Sequence, residues 1–198
     1  EVGAGGASVA GTLSATTLTG TLSTAAQPNV TSLGTLTGLT LGGAVVPSAN
    51  VTYNLGSPTA WWNMVYGKSV QAQYADLAEN YSAAQGYAPG TVVVWSTGLA
   101  EIETSDESHS PRVAGIISTD PAYLMNAATA GLPVALAGRV PCKVRGPVSK
   151  SDRLVNIEAG VAGRLDMSKF TPGCVLGYAL ESVPDGELAT IEVVITRF

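Results

Sequence analysis

The sequence predicts an all-β protein, an intertwined homotrimeric β-shaft followed by a compact β-rich head domain. Three observations predict it. No charged side chain lies between Glu1 and Lys68. Inside that stretch short Gly-Thr-Leu units recur. Beyond Gly86 apolar, β-branched runs alternate with Pro-Gly turn signals. The expected organisation is an uncharged repetitive shaft over 1–60, an aromatic collar with a short helical connector over 61–85, and an all-β head over 86–198.

The shaft follows from composition. Charged residues make up 13% of the chain, against a usual ~25%. All ten Lys and Arg, and every acid except Glu1, fall from Lys68 onward. Gly-Thr-Leu occurs at Gly11, Gly20 and Gly34, and Thr-Leu-Thr-Gly at Thr17 and Thr35. The spacing of the large aliphatics fits neither a heptad nor a long helix. Threonine favours extended backbone and glycine breaks helices, so the expectation is short extended segments between Gly turns. Ordering each residue costs ~1–2 kcal/mol of backbone entropy, and each fully buried Leu or Val returns only ~1.5–3 kcal/mol. The aliphatics are too widely spaced for a lone chain to offset that cost. Three copies wound together share one apolar centre. On that reading Leu13, Leu18, Leu22, Val30, Leu33, Leu36, Leu39 and Leu41 face a trimer interface.

The collar is Tyr53-Asn54-Leu55-Gly56-Ser57-Pro58-Thr59-Ala60-Trp61-Trp62-Asn63-Met64-Val65-Tyr66. Asn54 to Pro58 is turn chemistry. Trp61, Trp62 and Tyr66 are large apolar groups with a polar edge, and they suit a plug where three chains meet. A sugar-stacking platform is the rival reading. After Gly67, Val70, Tyr74, Leu77 and Tyr81 share one helical face, which predicts a short helix within 69–81.

The head reads as short strands at 91–95, 100–103, 113–118, 134–144, 154–157, 175–180 and 189–196. Pro89-Gly90, Gly146-Pro147, Pro172-Gly173 and Pro184-Asp185-Gly186 supply the turns. One short helix is expected around 122–130.

Several of these segments resemble bacteriophage fibre proteins. Ala25-Ala26-Gln27-Pro28-Asn29-Val30-Thr31-Ser32-Leu33-Gly34-Thr35-Leu36 looks like the repeat of tail fibres that form interwoven trimeric β-structure. Leu55, Gly56, Ser57, Trp62, Asn63, Val65 and Tyr66 match a motif near the end of such shafts. Tyr74-Ala75-Asp76-Leu77-Ala78-Glu79, Pro89-Gly90-Thr91-Val92-Val93 and Val113-Ala114-Gly115-Ile116-Ile117-Ser118-Thr119-Asp120-Pro121 resemble a C-terminal module of fibre and appendage proteins, of the kind carried by phages that infect cyanobacteria. Leu124-Met125-Asn126, Ala137-Gly138-Arg139-Val140-Pro141 and Gly177-Tyr178-Ala179-Leu180-Glu181 continue the match. The same module is similar to the neck-appendage intramolecular-chaperone peptidases. The resemblance implies a homotrimer in a virion, joined to other virion proteins on its N-terminal side. Its distal tip would contact a host-surface glycan or protein. A non-adhesive head fibre or decoration protein is the alternative. A second alternative is the mature product of a self-cleaving assembly module, whose C-terminal segment has been cut off. Separately, a chain that opens on Glu1 and not on Met reads as a processed product or the C-terminal portion of something longer.

Little else points to chemistry. Ser108, His109 and Ser110 adjoin Asp106 and Glu107 within 104–111. A catalytic triad is assembled in space, so neighbours in one polar loop read as a solvated loop. No catalytic residue, metal or cofactor is expected. Cys142 and Cys174 with the single His109 cannot supply a four-ligand zinc site within one chain; both cysteines read as small buried hydrophobes, with a disulfide between them the rival reading. The net charge of -5 and the lack of a Lys/Arg run argue against nucleic acid. No apolar run reaches the ~18 residues of a membrane span. Ser108, His109 and Tyr123, in the loops 104–111 and 119–132, are the expected receptor contacts.

Overall fold

A computed structural model describes residues 32–196 together with Ala10 and Ser14. Leu13, Leu18, Leu22 and Val30 lie outside the described residues. The chain forms two compact units, Glu1–Val65 and Tyr66–Phe198.

In the first unit every residue from 32 to 65 is exposed and none belongs to a strand or helix. Within 32–56 no backbone N–H donates to a backbone carbonyl of the same unit among the described residues. One tight turn follows. Ser57 and Ala60 exchange two backbone hydrogen bonds, both 3.1 Å, and the Trp61 indole N–H donates to the Pro58 carbonyl at 2.9 Å. Gly56 has φ +88°, and a Cβ there would stand 3.0 Å from the Ala60 carbonyl oxygen and 3.4 Å from the Trp62 ring. Only glycine fits easily where the chain turns left-handed under an indole.

The second unit is all-β. Its strands are β1 (Asp76–Tyr81), β2 (Val92–Trp95), β3 (Ile102–Glu103), β4 (Val113–Ile117), β5 (Tyr123–Met125), β6 (Leu132–Arg145), β7 (Arg153–Glu158), β8 (Val161–Arg164), β9 (Val175–Ala179) and β10 (Leu188–Ile195). A 3-10 turn covers Met167–Lys169. The sheet runs β10-β9-β7-β8-β6-β4-β2-β3, and β10 also pairs with β6. That extra pairing closes β6, β10, β9, β7 and β8 into a ring. Closure removes the exposed edges that would otherwise template further strands.

β6 belongs to both parts of the fold. Its C-terminal half pairs antiparallel with β10 from Gly138 to Arg145. Its N-terminal half pairs with β1 and, at Val134 and Ala135, with β4. The junction is Gly138, φ +98°, where a Cβ would come within 2.1 Å of the Ala75 carbonyl oxygen.

The apolar runs explain the core. Val92, Ile116 and Ala135 pack with Val140, Leu154, Leu176 and Val193 inside the ring. Their chain neighbours Val93, Ile117 and Val134 pack on the opposite face with Ile102. β2, β4 and the start of β6 are therefore buried on both sides, which is why they read as unbroken apolar runs and not as alternation. Tyr81 meets Trp95 edge-on, centroids 5.1 Å apart, to close the second face. Val155, Leu165, Cys174 and Val175 form a third cluster. Both cysteines are buried and free.

Two expected helices are absent. Residues 69–81 end in strand β1, where the buried positions alternate as Asp76, Ala78 and Asn80. Period two replaces the helical period because the inner face is polar or small and is satisfied by other loops. Ser118 Oγ donates to Asp76 Oδ2 at 2.6 Å, and Asn80 Nδ2 donates to the Thr129 carbonyl at 3.2 Å. The segment 122–130 instead contributes β5, which pairs parallel with β1 through Leu77 and Tyr123.

Candidate functional site

The first candidate is the uncharged row. Leu33, Leu36, Leu39 and Leu41 are exposed in the single chain, as are Val45, Val46, Val51, Tyr53 and Leu55. Trp61 is 67% exposed and Trp62 is 62% exposed, although the turn fixes the former's indole N–H. Removing one such indole from water is worth roughly 3 kcal/mol from apolar area alone. Scattered exposed leucines need no explanation, but a run of them without a single charge does. In the second unit Tyr66 is 89% exposed, with Val70 and Tyr74 also open. Each expected interface residue that falls among the described residues thus presents apolar surface to solvent.

The second candidate, the loop 104–111, differs from its expected form. Asp106, Glu107 and Ser108 are exposed, but His109 and Ser110 are buried. Asn156, wholly buried on β7, donates from Nδ2 to the carbonyls of Ser105 at 3.0 Å and Glu107 at 2.9 Å. The His109 N–H donates back to the Asn156 carbonyl at 2.7 Å. Across the loop, the Asp166 N–H donates to His109 Nε2 at 3.0 Å. A ring nitrogen that accepts from a backbone amide is unprotonated. The ring proton therefore sits on Nδ1, which donates to Ser108 Oγ at 2.8 Å. Both ring nitrogens are spent, so the imidazole cannot act as a general base toward Ser108. Burial, followed by the Lys169 charge, holds the His109 pKa below its ordinary value, against the opposing pull of Asp166. His109 is an internal clamp and not a surface contact.

Tyr123 stands elsewhere, exposed on β5 beside Leu77, Leu124 and Met125, all of them at least partly open. Different elements hold Tyr123 and the Ser108–His109 pair. Among the described residues no group of three or more His, Cys, Asp or Glu could hold a metal ion. Asp166 caps the 3-10 turn by accepting from Ser168 N–H at 2.9 Å and Ser168 Oγ at 2.7 Å. Those bonds first, and the nearby Lys169 and His109 with them, hold its carboxyl below the usual range.

Sequence reasoning missed the Asn156 clamp and a groove lined by Arg145, Arg153 and Arg164. No motif joins those positions. The only signal in the chain was three arginines within twenty residues of a net-acidic protein.

No family model matches the chain, and no curated protein matches it. Among solved structures it is similar to the head fiber gp8.5 N base of bacteriophage phi29, at 20% identity and a TM-score of 0.36. That likeness covers 61% of this chain and 94% of the other.

Proposed function

We propose that this chain is a structural fibre protein of a bacteriophage virion, homotrimeric, whose β-rich head forms the distal tip that meets the host surface. The observation that carries this reading is the uncharged run from Val2 to Gly67, whose described part leaves its Leu, Val and Trp side chains open to solvent. Sister chains that share those side chains would bury them without charge penalty and would offer partners to the backbone N–H groups of 32–56, which donate to no backbone carbonyl among the described residues. The quoted resemblance to fibre repeats supports the same reading from the residues alone. Adhesion through three identical tips tolerates a weak individual contact, because the second and third contacts form at high effective concentration.

Particles that encode this chain provide the test. Antibody against the head should decorate the free ends of fibres in electron micrographs, and purified protein should bind susceptible cells and compete with the particle. Decoration along a capsid surface with no cell binding would replace the adhesive tip by a head fibre or decoration protein.

A further inference from the structure

We propose that the groove beside the 3-10 turn of the head binds an acidic saccharide, a sugar bearing a carboxylate or a phosphate. Naming the host surface as its source rests on the adhesive reading above; the binding itself does not.

The groove has a volume of about 760 Å³ and is lined by Arg145, Arg153 and Arg164 together with Leu165 and Met167. Strand pairing brings the arginines together. Leu154, next to Arg153, lies opposite Arg164, and β6 reaches the same place through Val144 opposite Ala162. Arg145 is already committed, since its Nε and Nη2 donate to Glu158 Oε1 at 2.9 and 2.7 Å. Arg153 and Arg164 have no carboxylate within ion-pair distance among the described residues. The two acids that line the groove, Asp152 and Asp166, are engaged elsewhere. Asp152 Oδ2 accepts from the Ser149 N–H at 2.8 Å. Asp166 holds Ser168 and lies 3.9 Å from Lys169. A chain of net charge -5 thus keeps at one concave place two guanidinium groups that have no carboxylate partner among the described residues.

A second hollow of about 470 Å³ adjoins it through the shared Arg153, with Phe170, Pro172, Val175 and Tyr178 as its walls. Tyr178 orients the shared arginine: its hydroxyl accepts from Arg153 Nε at 3.3 Å, and the guanidinium lies 6.0 Å from its ring centroid. Phe170 is 47% exposed at the mouth. Forked donors match carboxylate and phosphate oxygens, and aromatic faces accept the C–H face of a sugar ring. The two hollows together offer both halves of an acidic sugar. A nucleic acid would need a long basic track, which the net charge of -5 denies it.

Isothermal titration of the full chain tests this with three probes: tetragalacturonate, mannopentaose phosphate and the methyl ester of tetragalacturonate. We expect binding of at least one acidic probe, none of the neutral ester, and an affinity that falls as salt is raised. Arg164→Gln and Arg153→Gln, both at exposed side chains, should each weaken that binding about tenfold or more, the size of one lost charge-assisted contact. Phe170→Ala should weaken it by a smaller factor. Failure of both acidic probes, equal binding of the ester, or unchanged affinity in Arg164→Gln would overturn the proposal. A monomeric protein that still binds an acidic probe through Arg164 removes the fibre reading and leaves the groove. A cell-binding trimer that ignores both acidic probes does the reverse.

Discussion

On the proposed reading, the two units of this chain solve the burial problem in opposite ways. In the head, Ile102, Ile116, Leu154, Leu176 and a set of valines are withdrawn from water inside one chain. The charges that remain lie outside and are partly paired, as in Arg145 with Glu158. The described part of the first unit, 32–65, has neither device. It carries no charge to hold it in water and no interior to hide its leucines. The head therefore has what it needs to fold as a single copy. The described part of the first unit, on the same reading, is completed only by surface that further copies supply. One sequence can hold both solutions because charge is distributed so unevenly along it.

Deletion of residues 1–60 should separate the two solutions most strongly. The remaining head should lose its association and much of its thermal stability, yet keep its β-sheet circular dichroism. Loss of that spectrum would mean that the head depends on the first unit for its own fold.

Within the head, Leu154→Ala opens a cavity where the closed ring is fully packed. It should cost about 2–5 kcal/mol in denaturant unfolding. The corresponding change Leu36→Ala on the exposed row should leave head unfolding unaltered and lower only the stability of the assembly. Equal effects of the two changes on the head transition would erase the contrast.

Asn156→Ala removes the two side-chain bonds from β7 to the 104–111 loop and leaves the Ser105 and Glu107 carbonyls without that donor. A loss of about 1–3 kcal/mol is expected, with proteolytic nicking inside 104–111.

The smallest effect concerns pH. The His109 pKa is lowered in the fold, so between the two values the unfolded chain binds a proton that the folded chain does not. Its contribution is therefore complete above the ordinary value of about 6.5 and is lost as pH falls below it. Protonation at Nε2 also breaks the bond from the Asp166 N–H. Melting temperature should fall from pH 7 to 5, and His109→Gln should flatten that slope. A slope unchanged in the variant would assign the acid sensitivity to other groups.

The fold was legible where burial is simple. β2, β4, β6, β7, β9 and β10 coincide with apolar runs bounded by turns, and β3 with the end of the run at 100–103. β1 was not legible, because its inner face carries Asp76 and Asn80, and their partners Ser118 and Thr129 are distant in sequence. Leu77 meanwhile points outward and completed a false helical stripe. β5 was hidden because Tyr123, Leu124 and Met125 are all exposed, so no alternation marks them. β8 is four residues after a left-handed Gly160, too short to announce itself. The candidate sites divide in the same way. The uncharged row is a property of composition and could be read directly. The burial of His109 and the meeting of Arg145, Arg153 and Arg164 are products of strand order, which no local pattern encodes.

Sedimentation equilibrium of the full chain tests the central claim most directly. An uncharged first unit completed by sister copies predicts a species of three times 20.1 kDa that persists on dilution. A stable, soluble species of 20.1 kDa with intact head structure would contradict it.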